Sequence, residues 1–206
     1  ANALLAEIAA TGDRVLVLED TIELQCAARD HVPLRTRAGV VSMQELVRAT
    51  MRLRPDRVIV GEVRGGEALD LVKVWGTGHP GGIATIHAGS ALGALLRLEQ
   101  LILEVAVNPP RALIAEAVNV VIHIAGRGRK RRVESIARVV GFDGAGYRLA
   151  ASGSRASCRR FLLQPMPLRL PCPLTNLENC HDADARSCFP LFRKSAFPPV
   201  QPGRTA

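Results

Sequence analysis

Three short apolar runs, each ending in a polar group, alternate with segments patterned as helices: "RVLVLED", "RVIVGE" and "GGIATIH". An uninterrupted run of a few Val, Ile and Leu residues between helical stretches reads as a strand buried on both faces. Parallel strands need long crossovers, and the intervening helices supply them. The chain is therefore expected to be α/β with a mainly parallel sheet. "VNVVIHIAGRGRKRRVESIARVVGFDGAGYRLA" has a different grammar: two apolar runs around a basic glycine turn, then "DGAG" and a third run. This predicts antiparallel strands at the carboxyl end of the domain.

The helices follow from caps and breakers. Asn2 to Ala10 has helical composition but no visible cap. Arg14 to Leu18 is the first strand, and the stretch from there to Gly39 is mixed. Ser42 and Glu45 match a capping box, opening a helix with Met43, Leu46, Val47 and Met51 on one face. Pro55 stops it, and Val58 to Val60 form the second strand. Gly65 and Gly66 lead into a helix with Leu69, Val72 and Trp75 inward. Ile83 to Ile86 is the third strand, Ser90 caps a helix to Val105, and Pro109 and Pro110 open another through Val118.

The division of charge sets the domain boundary. The net charge is +8, but residues 1–150 hold 19 basic and 16 acidic residues, whereas 151–206 hold 8 and 3. The body is nearly balanced, so its pI argues little for nucleic acid. Residues 151–206 also hold eight of the 13 prolines and four of the five cysteines, without sustained periodicity. They are expected to be a disordered or frame-altered tail following a domain at 1–150. The intervals among Cys172, Cys180, His181 and Cys188 lack the close ligand pairs of small zinc sites. One cysteine, Cys26, in the first 150 residues suits a reducing cytoplasm. No apolar run nears the roughly 20 residues of a spanning helix, and "ANALLAEIAA" shows no export signal.

Ligands of parallel sheets bind beyond the carboxyl ends of the strands. A lone acid there is usually just a strand reaching water. Three successive polar tips would put Glu19, Asp20, Glu23, Glu62 and His87 on one rim. Carboxylates there suit magnesium, which reaches proteins through one or two oxygens and keeps several waters. Another carboxylate would activate water, and an imidazole or arginine would answer charge developing on a phosphate. Arg52, Arg54 and Arg64 flank the second strand and are candidates for that part, within or across subunits.

"VLVLEDTIELQ" and "ATMRLRPDRVIVGEVRGGEALDLVKVWGTGHPGGIATIHAGSALGALLRLEQLI", in that order, resemble the traffic ATPases of type II and type IV secretion. The likeness covers about residues 1–150 and is nearest to the conjugative members. It implies a RecA-like P-loop NTPase core. By this resemblance "EDTIE" is the Asp box, with Glu19 and Asp20 near nucleotide and magnesium and Glu23 activating water. "VIVGE" is then Walker B, with Glu62 placing metal or water. "GHPGGIATIHAGS" is the His box, with His79, Thr85 and His87. "RLRPDR" resembles the family's arginine segment near the subunit boundary. The resemblance further implies ATP and Mg2+ as cofactors of the complete parent protein. It implies a hexameric ring in the cytoplasm, docked on inner-membrane secretion or conjugation machinery.

The family's G-x-x-x-x-G-K-[ST] loop occurs nowhere in the 206 residues. Its backbone N–H groups normally cradle phosphates. The chain is thus expected to be the carboxyl-terminal part of such an ATPase, an incomplete core whose opening strand and loop lie upstream. Hydrogen bonds to a charged partner are worth roughly 1.5–3 kcal/mol each, so losing several leaves the chain inactive by itself. One alternative is a non-catalytic module binding ATPase subunits or secretion partners. A nucleic-acid interface at "GRGRKRR", Gly126 to Arg132, is disfavoured by its lack of interleaved aromatics.

Overall fold

The structure, a computed structural model, describes residues 1–151. The expectations for the tail, disorder and no zinc site, fall on residues outside the described part apart from Ala151. The fold is α/β, as the alternation predicts. Four parallel strands stand in the order β2-β1-β3-β4: β1 (Val15–Glu19), β2 (His31–Arg35), β3 (Arg57–Val60) and β4 (Ile83–Ala84).

Strand β1 is buried at every position because both its faces are covered. Val15 and Val17 pack with Leu5 and Ile8 of helix α1 (Asn2–Ile8). Leu16 and Leu18 join the larger cluster on the other face, built from helices α2 (Met43–Thr50), α3 (Glu67–Gly76), α4 (Ala91–Ile102) and α5 (Arg111–Ala117). Strand β2 lies inside the stretch read as mixed. It is an edge strand alternating exposed and half-buried positions, with Pro33 in its middle. Proline cannot donate to a ladder and is tolerated at such an edge.

The capping box forms: Ser42 N donates to Glu45 Oε2 at 2.7 Å and Glu45 N to Ser42 Oγ at 3.3 Å. Met51 does not join the buried face. Helix α2 ends at Thr50, which is buried instead, and Met51 is 44% exposed. In α3 the fully buried positions are Ala68, Leu71, Val72 and Val74, whereas Leu69 and Trp75 are only partly covered. The Trp75 indole donates to the Val58 carbonyl at 3.1 Å. That ring explains a glycine, since a Cβ on Gly82 would stand 1.9 Å from the indole nitrogen. Strand β4 is two residues, shorter than expected, because the chain leaves the ladder at Thr85, whose hydroxyl donates to the Gly61 carbonyl. Ser90 caps α4 by accepting from Gly93 N at 3.0 Å, and the helix stops at Ile102, three residues before Val105.

The meander also forms: β5 (Val120–Ala125), β6 (Arg132–Phe142) and β7 (Tyr147–Ala151) make an antiparallel sheet in that order. It is tied to the helices through a buried carboxylate. Glu99 of α4 accepts from Arg111 of α5 at 2.9 Å, and the Arg111 guanidinium lies 6.0 Å from the Phe142 ring centre. Tyr147 meets Phe142 edge-on, their ring centres 5.3 Å apart. Burial, and then the neighbouring Glu99, holds the Tyr147 phenol above its ordinary pKa. Among the described residues no helix is long and apolar enough to cross a membrane.

Candidate functional site at the carboxyl rim of the sheet

Parallel register brings the ends of β1 and β3 side by side, with Leu18 opposite Val60. The residues just beyond them, Asp20 and Glu62, therefore meet at one edge. Arg64 lies between them: its guanidinium donates to Glu62 Oε2 through one nitrogen and approaches Asp20 Oδ2 at 3.4 Å through another. The other Glu62 oxygen stands 2.9 Å from His87 Nε2, beyond β4. The charge of Glu23 acts on Arg64 as well, and Glu23 is exposed. Asp20, Glu62, Arg64 and His87 thus meet at one rim, with the Glu23 charge acting on Arg64, whereas Glu19, expected on the same rim, turns inward.

Electrostatics fixes the charge of Glu62 and Arg64. The hydrogen bond from Arg64 holds Glu62 below its ordinary value of 4.5. Partial burial opposes this, and the charges of Arg64 and His87 reinforce it. Glu62 is consequently an anion at neutral pH, and the same hydrogen bond raises the pKa of Arg64 further. Exposure divides the cluster: the Glu62 side chain is 21% accessible and the His87 imidazole 93%. The carboxylate is sheltered by the sheet tip, while the imidazole is open to an incoming ligand.

Supporting residues hold the loops in place. Glu19 turns inward and is buried, its Oε1 accepting from Glu23 N at 2.9 Å and Leu24 N at 2.8 Å. It shapes the loop that presents Asp20 and Glu23. Thr36 donates to Asp20 Oδ1 at 3.0 Å. Glu67 accepts from Arg64 N at 2.7 Å and Gly65 N at 3.0 Å, fixing the turn beneath Arg64. Asn2, at the start of α1, accepts from Gln25 N at 3.1 Å and donates to the Glu23 carbonyl at 3.3 Å. The sequence gives none of Asn2, Thr36 or Glu67 a part at this rim. Only Glu67 carried a signal, as an acid in the first turn of a helix entered through glycines.

The remaining candidates lie elsewhere. Arg52, Arg54 and His79 line a cleft with Arg14, Asp30 and Asp56. Arg14 and Asp56 immediately precede β1 and β3, so this cleft is at the amino ends of the strands. The two histidines of "GHPGGIATIH" therefore sit on opposite rims. Strand β4 runs between them, carrying the chain from one end of the sheet to the other.

Among the described residues no three acids, histidines or cysteines are disposed to hold a metal by themselves. Asp20 and Glu62 offer hard oxygen donors. That suits a magnesium ion whose other ligands are water and phosphate.

A parallel sheet presenting an acid–arginine–imidazole cluster beyond its strand ends is the frame of a ligand-binding α/β protein. The family described as Type II/IV secretion system protein matches residues 2–157, and this chain belongs to it. It is 50% identical over 149 residues to the conjugal transfer protein TrbB of Rhizobium radiobacter, covering 71% of this chain and 46% of that relative. It is 37% identical over 151 residues to the type IV secretion system protein PtlH of Bordetella pertussis, covering 66% and 44%. The crystal structure of the VirB11 ATPase of the Brucella suis type IV secretion system, in complex with sulphate, matches with a TM-score of 0.54. Its identity is 29%, over 61% of this chain and 41% of that one. The chain spans about half the length of the curated relatives it matches, 46% for TrbB.

Proposed function

We propose that the carboxyl rim is one wall of an ATP-hydrolysis site in a motor subunit serving conjugative transfer or type IV secretion. The observation that supports this most is the position of Glu62, an anion held between Arg64 and His87 beside Asp20. Glu62 and Asp20 would hold the magnesium ion, which when bound neutralises phosphate charge. Glu23, exposed and at hydrogen-bonding reach of solvent, takes the part of the base that orients water. Arg64 is poised to exchange its carboxylate partners for a phosphate oxygen, and His87 faces the same space. Thr85 fixes the β3 and β4 tips relative to each other through the Gly61 carbonyl.

Arg52, Arg54 and His79 form a cationic cleft at the opposite rim. In a ring of subunits that cleft faces a neighbour and contributes to its nucleotide site, consistent with a homohexamer in the cytoplasm docked at the inner membrane. These 206 residues contain no G-x-x-x-x-G-K-[ST] motif to cradle phosphates. The 206-residue chain by itself therefore binds ATP weakly and does not turn it over.

The test compares the complete parent protein with this chain. Phosphate release by the parent should disappear with Glu62→Gln, and calorimetry should find no micromolar ATP binding by the 206-residue chain. Tight binding by the chain, with turnover lost in Glu62→Gln, overturns its inactivity. Full turnover by the parent Glu62→Gln variant overturns the site. The missing phosphate loop favours a second reading, a non-catalytic module binding ATPase subunits. A parent without an in-frame GK[ST] loop would establish it.

A further inference from the structure

The turn joining β5 to β6 is the most concentrated charge in the described residues, and the nucleotide site makes no use of it. Arg127, Arg129, Lys130, Arg131 and Arg132 fall within six positions, and every residue from Gly126 to Ser135 is exposed. The nearest acid, Glu134, pairs with His123 at 3.2 Å and reaches only Arg132, at 3.9 Å. Among the described residues no ion pair engages Arg127, Arg129, Lys130 or Arg131. These cations are not balancing an internal charge.

The tip has a defined shape. Gly126 has a φ of +86°, and a Cβ there would stand 2.3 Å from the Lys130 carbonyl oxygen. The backbone closes tightly over a single 3₁₀ turn, Gly128–Lys130. Beneath it, Ile124 and Val133 face each other across the strands, 50% and 42% exposed. Opposed residues of an antiparallel pair share a face, so a half-exposed apolar pair adjoins the cluster of five cations.

We propose that this hairpin docks on the surface of an anionic phospholipid bilayer, its cations among the phosphates and Ile124 and Val133 at the acyl boundary. A surface combining basic and apolar residues matches the layered chemistry of that interface. A phosphodiester chain would use the cations equally. However, the segment Gly126–Ser135 contains no aromatic ring to stack on bases, and the apolar pair has no counterpart on a nucleic-acid backbone. The inference rests on the inner-membrane location proposed above and is independent of the nucleotide site.

The test is co-sedimentation of the full 206-residue chain with vesicles of phosphatidylcholine, alone or mixed with phosphatidylglycerol, over a range of salt. Each basic residue near an anionic surface is worth about fivefold in partition. The triple variant Arg129→Gln, Lys130→Gln, Arg131→Gln should therefore bind mixed vesicles roughly 100-fold more weakly, with an unchanged far-UV spectrum. The pair Ile124→Ser, Val133→Ser should weaken vesicle binding several-fold, most visibly at high salt, and leave any DNA binding untouched.

Equal vesicle binding by wild type and the triple variant overturns the proposal, since the basic tail would then be responsible. So does an unaltered affinity of the apolar variant. Binding to labelled DNA, lost in the triple variant and unaccompanied by vesicle binding, would identify a nucleic-acid patch instead. If wild type ignores vesicles while the complete protein still fractionates with membranes, the lipid contact fails and the location stands. If wild type binds vesicles but the complete protein does not fractionate with membranes, the location fails.

Discussion

The two ends of the parallel sheet are built from the same residue types and put them to opposite uses. At the amino rim, charges close onto one another and onto the backbone. Arg57 pairs with Asp13 and donates to the Gly81 carbonyl at 3.2 Å. Arg14 binds Asp30 at 2.8 Å and the Leu53 carbonyl at 2.9 Å, and Asp56 accepts from Arg14 N at 2.7 Å. Burial alone would raise the Asp13 pKa, but hydrogen bonds from Thr11 and Arg57 and the Arg57 charge bring it below its ordinary value. At the carboxyl rim three acids act on one arginine, and Glu62 also meets an exposed imidazole. The first arrangement fastens loops, and the second leaves charge available to a ligand. Within the chain, and leaving aside the Arg52, Arg54 and His79 cleft proposed for a neighbour, position relative to the strand ends separates fastened charge from open charge.

That contrast predicts which readout each substitution moves. The largest expected effect is Glu62→Gln in the complete protein, a loss of most phosphate release, because the carboxylate that would hold the metal becomes a neutral amide. Its melting temperature should scarcely change. Arg57→Ala should do the reverse, costing about 2 kcal/mol through lost charged hydrogen bonds in denaturant titration. A large activity loss in Arg57→Ala with stability intact would break the comparison. Arg64→Ala should scarcely alter stability because its ion pairs are exposed, while lowering ATP turnover in the complete protein.

The smallest effect is a titration. The folded pKa of Glu62 is depressed from 4.5. Its contribution to stability is accordingly present above that pH and fades as pH falls through the lower folded value. Carboxyl NMR shifts should show Glu62 titrating late on acidification in wild type, and near its ordinary value in Arg64→Ala. An unchanged Glu62 titration in that variant would remove Arg64 as the controlling partner.

Much of this was readable from the residues because strand burial and ligand chemistry leave different marks. Runs such as "VLVLE" are apolar where both faces are covered and turn acidic where the chain reaches the rim. The Ser42–Glu45 box located α2 because both partners of the cap are local. Strand β2 escaped because an edge strand with Pro33 needs only a half-buried face, a pattern its neighbour β1 completes. The support given by Asn2 and Thr36 to the rim was illegible for a related reason. Each contact spans many residues, and a single Asn or Thr outside a cap carries no periodic signal. The opposite placement of His79 and His87 follows from the path of β4, which spacing alone does not reveal.

The buried Glu99–Arg111 pair has a mechanical consequence. It ties α4, a helix of about 18 Å at 1.5 Å per residue that begins four positions after His87, to α5, and Arg111 in turn lies against Phe142 at the end of β6. The helix that follows the open imidazole is thus held, near its far end, by the contact that seats the carboxyl end of β6.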